Sequence, residues 1–216
     1  MTTEELKRLF TRWKHDGNLV FVTGAGLSTP SGIKDFKTLD ASRILSRYYA
    51  SGHRTTFHKW VEENLKNDTI QPNDYHLLLE EIDAPVITQN IDGLHRNLTT
   101  LIELHGSISK AKCYCCDVII DGDYTTHHNT ICPTCNVTGA YDPAIVLYGD
   151  DIDPHDYART EELLEHADTI VVMGTRLHVN PIRSLVYKHA SKVVFINDEP
   201  PTDSMVPVAT VITMKF

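Results

Sequence analysis

The stretch FVTGAGLSTPSGIKDF, residues 21–36, runs from an apolar segment directly into a loop that contains three glycines. Glycine has no Cβ, so it lets another group approach the backbone closely. Gly24 and Gly26 follow the apolar segment at once, which would let backbone N–H groups at a following helix start face a phosphate. Thr29, however, stands where a dinucleotide-binding fingerprint has its third glycine. On this loop alone, nucleotide binding and a plain tight turn are equally good interpretations.

Five short apolar segments predict a parallel sheet. They cover residues 18–24, 84–90, 143–149, 168–174 and 192–197. Their apolar residues are consecutive rather than alternating, which is typical of strands buried on both faces. Helical patterns lie at residues 159–167 and from Asn180 to about His189, and Thr2 and Glu5 have capping-box spacing at the start of a first helix. This order predicts an α/β fold with a doubly wound, Rossmann-like parallel sheet that binds ligands at the carboxyl ends of its strands.

The composition is that of an ordinary globular protein. The 216 residues are 41% hydrophobic and 23% charged, and the net charge of −9 disfavours a general binder of nucleic-acid phosphates. No apolar run reaches the roughly 18–20 residues that cross a bilayer, and the first ten residues lack the layout of a signal peptide. We therefore expect a soluble, cytoplasmic protein that binds neither membranes nor specific nucleic-acid sequences; a nuclear location stays open.

All five cysteines fall within residues 113–135. Four of them form two C-x2-C pairs separated by fifteen residues, which is the spacing of a four-cysteine zinc site. The expected ligands are Cys113, Cys116, Cys132 and Cys135. Because four thiolates leave no open position for water, the zinc should be structural rather than catalytic. Cys115 is left over, and His127 and His128 are weaker alternatives as ligands.

Polar residues gather where the second apolar segment ends. Gln89, Asn90 and Asp92 lie in TQNIDGLH, residues 88–95, and His105 follows in ELHGS, residues 103–107. Polar atoms buried at such positions are costly unless a ligand or a neighbour satisfies them. A histidine with a near-neutral pKa is a natural proton acceptor, although His105 taken singly is equally consistent with a structural role.

The chain as a whole resembles the sirtuin family of NAD-dependent protein-lysine deacylases over about residues 19–197. The motifs that carry the resemblance are, in chain order, GAGLSTPSGIKDF, TQNIDGLH, ELHG, the two cysteine pairs, PAIVLYGD, GTRLHVNP and FIN. The resemblance implies NAD and zinc as cofactors and an acyl-lysine protein or peptide as substrate. The implied reaction transfers the acyl group to ADP-ribose and releases nicotinamide.

The resemblance also implies a role for each matching residue. His105 would be the general base, and Asn90 and Asp92 would complete the catalytic set. The residues implied in NAD binding are Gly24, Ala25, Ser28, Asp35, Phe36, Gln89, Asn90, Asp92, Gly174, Thr175, Arg176 and Asn197. The residues implied in lining the channel where an acyl-lysine peptide adds as a strand are Ile145, Val146, Tyr148 and Gly149.

We expect one catalytic domain, residues 1–216, with two lobes. The large NAD-binding lobe would comprise residues 1–36, 81–106 and 142–216. The small lobe would be built from two insertions, a helical one at residues 37–80 and a zinc module at residues 107–141.

Some positions depart from the family pattern. Lys34 and Lys37 replace a proline and an arginine of the loop over the nicotinamide ribose, and lysine cannot reproduce the bidentate contact of arginine. Arg176 replaces a serine, and we expect it to meet a phosphate of NAD. Asp142 stands where arginine is common. The Tyr-x-x-Arg spacing that the desuccinylating branch uses is missing, which makes activity on acidic acyl groups doubtful.

Other functions stay open at this stage. The same site with another acceptor would give a protein mono-ADP-ribosyltransferase or an NAD hydrolase, and Lys34 and Lys37 favour this reading. A non-catalytic module that senses NAD or reads peptides is a second alternative. A zinc ribbon that binds nucleic acid is a third, against which the acidic charge argues.

Overall fold

The computed structural model describes residues 1–34, 41–66, 69–127, 130–201 and 208–216. Its strands are β1 (Leu19–Thr23), β2 (Val86–Thr88), β3 (Leu101–Glu103), β4 (Gly106–Cys113), β5 (Ile119–Asp121), β6 (Tyr141–Ile145), β7 (Thr169–Met173), β8 (Val193–Asn197) and β9 (Thr210–Thr213). Its α-helices are α1 (Thr3–Asp16), α2 (Ala41–Ile44), α3 (Arg47–Gly52), α4 (Arg54–Leu65), α5 (Asp74–Ile82), α6 (Pro154–His166) and α7 (Ile182–Tyr187).

Six of these strands form one parallel sheet, in the order β3-β2-β1-β7-β8-β9. The chain winds outward from β1 to β3 and later returns to the other side of β1 through β7. The strand order therefore reverses between β1 and β7. In open α/β sheets, ligands bind in the crevice outside the carboxyl ends of the strands at such a point. The predicted doubly wound, Rossmann-like sheet is confirmed.

One predicted strand lies in a different sheet. The apolar run at residues 143–149 was expected in the parallel sheet, but β6 (Tyr141–Ile145) pairs antiparallel with β4 in a three-stranded sheet of order β5-β4-β6. Consecutive apolar residues indicate burial on both faces and do not say in which sheet the strand is buried. The parallel sheet instead includes β3 and β9, which the sequence reasoning missed. β3 has three residues and β9 is a largely exposed edge strand, so neither is a long apolar run.

Helices cover both faces of the parallel sheet. Leu6 and Phe10 of α1 pack with α5 against Phe21 of β1, whose ring lies edge-to-face with that of Phe10 at 4.9 Å. Val22 of β1 faces the opposite side, toward Leu164 of α6. Burying one such side chain contributes roughly 1.5–3 kcal/mol, so this alternation along β1 holds both helical layers onto the sheet.

The helix ends follow the local sequence. The predicted capping box of α1 is confirmed, with Thr2 and Glu5 each bonding the other's backbone N–H. The helix predicted at residues 159–167 begins earlier, at Pro154, because Asp153 caps it and proline is favoured in the first turn. The helix predicted to start at Asn180 covers only Ile182–Tyr187.

The smaller unit joins the three-stranded sheet to α2, α3 and α4. Phe57 and Val61 of α4 share a core with Ala111 of β4, Tyr124 and Tyr141. Helix α5 begins inside the range expected for the helical insertion, residues 37–80, but it packs on α1 and shares the core of the parallel sheet. The division of the chain into the two predicted lobes stays a prediction. Among the described residues, no helix has the length and apolar character needed to cross a membrane.

Candidate active site

A cleft of about 900 Å³ lies at the carboxyl ends of β1, β2, β7 and β8. Its size is within the range of ligand-binding clefts. Residues of the loops after these strands line it, namely Gly24, Ala25, Gly26, Gln89, Asn90, Gly174, Thr175, Arg176, Asn197 and Asp198. Its other wall includes His105 and residues 146–150. The cleft therefore combines the ends of the parallel sheet with the segment that follows β6.

The glycines after β1 pack against the loop after β7. Gly26 N–H donates to the carbonyl oxygen of Gly174 at 2.8 Å, and a Cβ on Gly24 would lie 2.5 Å from the Cβ of Thr175. Gly174 has φ +66°, and its Cβ would lie 2.3 Å from the nitrogen of Leu27. We call residues 24–27 and 174–175 the glycine junction. The nearest atoms thus belong to the protein's own backbone at Gly26 and Gly174 and to the Thr175 side chain at Gly24, which the sequence reasoning did not foresee.

Polar side chains form the floor of the cleft beneath the glycine junction. The side-chain N–H2 of Asn90 donates to Ser28 Oγ at 3.0 Å and to the Gly24 carbonyl oxygen at 3.2 Å. Ser28 Oγ in turn donates to Asp92 Oδ2 at 2.7 Å. Burial raises the pKa of Asp92, although hydrogen bonds from Leu94 N–H and Ser28 oppose this. Asn90 Oδ1 is buried and has no hydrogen-bond partner among the described residues, so the floor holds an acceptor without a donor.

Two buried histidines lie behind this floor. His76 and His95 have ring centroids 4.9 Å apart, and each contacts a hydroxyl group: Nε2 of His95 lies 2.9 Å from Thr23 Oγ1, and Nε2 of His76 lies 3.4 Å from Ser28 Oγ. Burial lowers the pKa of His76 to about 4 and that of His95 to about 3. Both rings are therefore neutral at physiological pH and belong to the interior of the fold.

His105 is partly buried at the edge of the cleft, between β3 and β4. Its Nδ1 lies 3.0 Å from the carbonyl oxygen of Gln89. A carbonyl oxygen only accepts, so the neutral ring donates from Nδ1 and carries its lone pair on Nε2. Burial lowers the pKa of His105, and the hydrogen bond to Gln89 offsets part of this. The ring is thus a neutral proton acceptor at pH 7.

Thr175 connects the loops after β2, β7 and β8. Gln89 Nε2 donates to Thr175 Oγ1 at 3.2 Å, and Asn197 Nδ2 donates to the Thr175 carbonyl oxygen at 3.3 Å. Arg176, expected to meet a phosphate, lines the cleft and pairs with Glu199 at 2.5 Å. A phosphate contact by Arg176 would therefore have to compete with that carboxylate, and the contact stays a prediction.

Residues 146–149, which we call the substrate segment, follow β6 and lie outside both sheets. The Val146 N–H donates to the His105 carbonyl oxygen at 2.8 Å, and the Tyr148 N–H donates to the Leu45 carbonyl oxygen at 2.8 Å. A turn closes the segment, because the Asp150 N–H donates to the Leu147 carbonyl oxygen at 2.9 Å. The segment is thus tied both to His105 and to the residues before α3.

The four predicted zinc ligands come together in the smaller unit. Their Sγ atoms all lie within 4.8 Å of one another, with Cys113 and Cys135 at 3.6 Å and Cys116 and Cys132 at 3.5 Å. A tetrahedral zinc site with Zn–S bonds of about 2.3 Å separates its sulfur atoms by about 3.8 Å, so the arrangement fits that ion. Cys115 is exposed and lies outside the cluster.

Comparison with known families gives a direct match. A family model described as "Sir2 family" matches residues 24–181. The chain belongs to the Sir2 family. This is the sirtuin family that the sequence motifs resemble, and the matched range extends from the glycine junction to the loop after β7.

Individual relatives agree with this membership. The chain is 33% identical over 215 residues to a protein of Fusobacterium nucleatum named NAD-dependent protein deacetylase, with 90% of this chain and 82% of the relative covered. It is also 33% identical over 201 residues to a protein of the same name from Lactiplantibacillus plantarum, with 85% and 84% covered.

Solved Sir2 structures have the same architecture. A structure of Sir2Tm bound to a propionylated peptide has a TM-score of 0.80 at 26% identity and covers all of this chain and 94% of its own. A Sir2–p53 peptide–NAD⁺ structure has a TM-score of 0.78 at 27% identity, again covering all of this chain and 94% of its own.

The structure brings most of the Sir2 residues predicted from the sequence into one cleft. Ser28 and Asp92 are the exceptions on the NAD side, because they lie in the floor beneath the lining. Ile145 ends β6 and packs in the core of the smaller unit, whereas Val146, Tyr148 and Gly149 line the cleft. Asp35 and Phe36 lie outside the described residues, as do Lys37 and His128.

Sequence reasoning also missed residues of this Sir2 cleft. Leu45, Ile152, Lys215 and Phe216 line it, and Phe216 packs edge-to-face on Tyr75. Leu45 and Ile152 lie in short segments without a strong apolar pattern, so nothing local singled them out. Lys215 and Phe216 reach the cleft because β9 adds beside β8, and the β-branched run of that strand was the available signal.

Proposed function

We propose that this chain is an NAD-dependent protein-lysine deacylase that transfers the acyl group to ADP-ribose and releases nicotinamide. The observation that carries the proposal is one cleft that holds a neutral histidine, a buried polar floor and the substrate segment together. The names of the bacterial relatives support it, as do the Sir2 structures solved with an acylated peptide and with NAD⁺.

The lining of the cleft fits an NAD molecule. NAD supplies the glycosidic bond that is broken and the ADP-ribose that accepts the acyl group. Asn90 Oδ1, a buried acceptor without a donor among the described residues, suits the amide of a nicotinamide ring. Gly174, Thr175 and Asn197 would meet the phosphate and adenosine portions, since backbone groups at strand ends are common contacts for phosphates.

His105 would act as the general base toward the ribose hydroxyls. Its lone pair is on Nε2 because Nδ1 donates to the Gln89 carbonyl oxygen. Its lowered pKa keeps it unprotonated and ready to accept a proton at neutral pH. Asp92 would act from the floor, where it orients Ser28 and, through it, Asn90.

Zinc would hold the smaller unit together. Cys113, Cys116, Cys132 and Cys135 supply four thiolates and leave no open position, so the metal would take no part in the chemistry. One cysteine pair lies at the carboxyl end of β4, and the other pair precedes β6. The ion would therefore fix the strand that leads into the substrate segment.

The acyl group is expected to be neutral. The three arginines of the helical insertion have other partners: Arg43 lies over the ring of Tyr49, Arg47 pairs with Asp150, and Arg54 pairs with Asp142. None of the three is among the described residues that line the cleft. An acidic acyl group would therefore meet no arginine of this insertion.

The test is an assay with NAD and an acetyl-lysine peptide. Nicotinamide should appear in proportion to deacetylated peptide, and His105→Ala should lower kcat by about 10²–10⁴-fold, the usual contribution of a general base. His15→Ala, at an exposed position of α1, is the matched control and should leave kcat unchanged.

Other outcomes separate the alternatives. Nicotinamide release without any peptide would favour NAD hydrolysis, and labelling of a protein acceptor with ADP-ribose would favour mono-ADP-ribosyl transfer. Absence of NAD binding to the zinc-loaded protein would refute all three enzymes. The cytoplasmic location stays a prediction from the sequence.

A further inference from the structure

The substrate segment is held in place by the helical insertion. Residues 45–47, which follow α2 and end on the first residue of α3, run beside it. The Tyr148 N–H donates to the Leu45 carbonyl oxygen, and the Arg47 N–H donates to the Tyr148 carbonyl oxygen at 3.0 Å. Ser46 and Tyr148 form a parallel bridge of one residue pair. Two main-chain hydrogen bonds are a small attachment for a segment that lies outside both sheets.

An ion pair reinforces this attachment. Arg47 binds Asp150 with both ends of its guanidinium group, Nε to Oδ1 at 2.6 Å and Nη2 to Oδ2 at 2.8 Å. Asp150 Oδ2 also accepts from the Leu147 N–H at 3.1 Å, so the carboxylate closes the turn of the substrate segment. The Asp150 side chain is only 13% exposed. A bidentate pair of this kind fixes geometry as well as charge.

Within the substrate segment, Gly149 is the described residue whose main-chain N–H and carbonyl both have no partner. The N–H groups of Val146, Leu147 and Tyr148 donate to acceptors within the protein, and the carbonyl groups of Leu147 and Tyr148 accept from donors within it. The Val146 carbonyl has no donor among the described residues, although the N–H of the same residue is paired. The amide and carbonyl of Gly149 have no hydrogen-bond partner among the described residues, and Gly149 lines the cleft with φ +98°. A peptide that adds as a strand needs such unpaired groups.

We propose that Arg47 is a positioning residue for the acylated peptide: through Asp150 it holds the substrate segment so that Gly149 presents its amide and carbonyl to the peptide. The proposal rests on the deacylase function proposed above. Arg47 is not among the described residues that line the cleft, so its effect on the peptide would pass through Asp150. Its role is to keep the turn at residues 147–150 in the shape that the peptide meets.

Arg54 offers a matched control. It also joins the helical insertion to the region of β6, pairing with Asp142 Oδ1 at 2.5 Å and with the Tyr141 carbonyl oxygen at 2.7 Å. Neither Arg54 nor Asp142 is among the described residues that line the cleft. Loss of Arg54 should therefore weaken the smaller unit without changing the Gly149 edge.

The experiment measures peptide and NAD separately. Steady-state KM values for an acetyl-lysine peptide and for NAD are determined, and the dissociation constant of a fluorescent acetyl-lysine peptide is measured by anisotropy without NAD. Arg47→Ala should raise the peptide KM and dissociation constant about 10-fold, because a small displacement of a binding edge is costly even though the pair is partly exposed to solvent. The NAD KM should not change, and kcat should stay within about twofold.

Three further variants test the route through Asp150. Arg47→Lys keeps the charge but loses the bidentate contact, so its effect should be intermediate. Asp150→Asn keeps an acceptor for the Leu147 N–H and should reproduce most of the Arg47→Ala effect. The double variant should be no worse than either single one, because both remove the same contact. Arg54→Ala should lower the melting temperature and leave the peptide KM unchanged.

Several results would overturn the proposal. These are an unchanged peptide KM and dissociation constant in Arg47→Ala, additive effects in the double variant, or an equal rise of the peptide KM in Arg54→Ala. If the unmodified protein binds the peptide but does not deacylate it, only the proposed function fails, and the anisotropy measurements still decide the role of Arg47. If the unmodified protein binds no peptide, both proposals fail.

Discussion

The cysteine cluster and the floor of the cleft both gather side chains that are buried or half-buried, but they hold these side chains together in different ways. In the floor, Asn90 donates to Ser28 and Ser28 donates to Asp92, with His76 and His95 packed behind, and Asn90 Oδ1 is left without a partner among the described residues. In the cluster, four sulfur atoms face one another at distances that suit a metal ion. Thiols are weak hydrogen-bonding groups and cannot replace that ion. The floor should therefore hold by protein contacts alone, and the cluster should depend on zinc.

The largest expected effect comes from removing a cysteine ligand. Cys132→Ser should abolish stoichiometric zinc and unfold the smaller unit, since structural zinc sites contribute about 10–16 kcal/mol to folding in small domains. Zinc content and hydrogen exchange would be measured together. Exchange protection should be lost in β4 and β6 and kept in β1 and β7.

Cys115→Ser is the control for this prediction. Cys115 is exposed and outside the cluster. The zinc content and hydrogen-exchange protection of the Cys115→Ser variant should therefore match those of the unmodified protein. Retention of zinc by Cys132→Ser, or its loss from Cys115→Ser, would mean that the ligand set is different. Loss of protection in β1 and β7 as well would remove the contrast between the two regions.

A smaller effect is expected at the glycine junction, where backbone packs on backbone. Gly174→Ala would force a side chain into a left-handed conformation and place its Cβ 2.3 Å from the nitrogen of Leu27. The strain and the overlap together should cost about 3 kcal/mol of unfolding free energy. Equilibrium unfolding in urea measures it.

Gly52→Ala is the matched control, because a Cβ at this helical position meets no heavy atom within 4 Å. Its stability should rise by up to about 1 kcal/mol, the difference in helix propensity. If both alanine variants were as stable as the unmodified protein, the close approach at the glycine junction would not be what requires glycine there.

The smallest effect concerns the two buried histidines behind the floor. The pKa of His95 is about 3 and that of His76 about 4 in the folded protein, both lowered mainly by burial. The unfolded chain binds these protons near pH 6.5. Between pH 6.5 and about 4 the unfolded state therefore holds more protons, and the free energy of unfolding should fall as the pH falls, by at most about 1.4 kcal/mol per pH unit for each histidine.

Replacement of one histidine isolates its share. His95→Gln should reduce the pH dependence of unfolding between pH 6.5 and 5 by about 1 kcal/mol per pH unit, whatever its effect on stability at pH 7. His15→Gln, whose side chain is 88% exposed, should leave the slope unchanged. An unchanged slope in His95→Gln would show that this histidine is accessible to protons in the folded state.

The parts of the molecule that the sequence predicted share a local cause. The cysteine pairs, the buried strands β1, β7 and β8, and the capping box at Thr2 and Glu5 each depend on residues close together in the chain. Most of the residues predicted for the site follow these strands, so their gathering in one cleft could be expected from the parallel sheet. The strand at residues 143–149 was predicted in the wrong sheet, and β3 and β9 were missed, for the opposite reason. Pairing partners far apart in the sequence decide which sheet a short strand joins.

The sequence by itself determined the family, the parallel sheet and the grouping of four cysteines into one metal site, because motif spacing and runs of apolar residues carry that information locally. Only the tertiary structure decided what the glycines after β1 approach, that Arg176 pairs with Glu199, and that Arg47 holds Asp150 beside the substrate segment. These contacts join residues as much as 150 positions apart, between Gly24 and Gly174. Such contacts form through the packing of whole elements, and no local pattern records them.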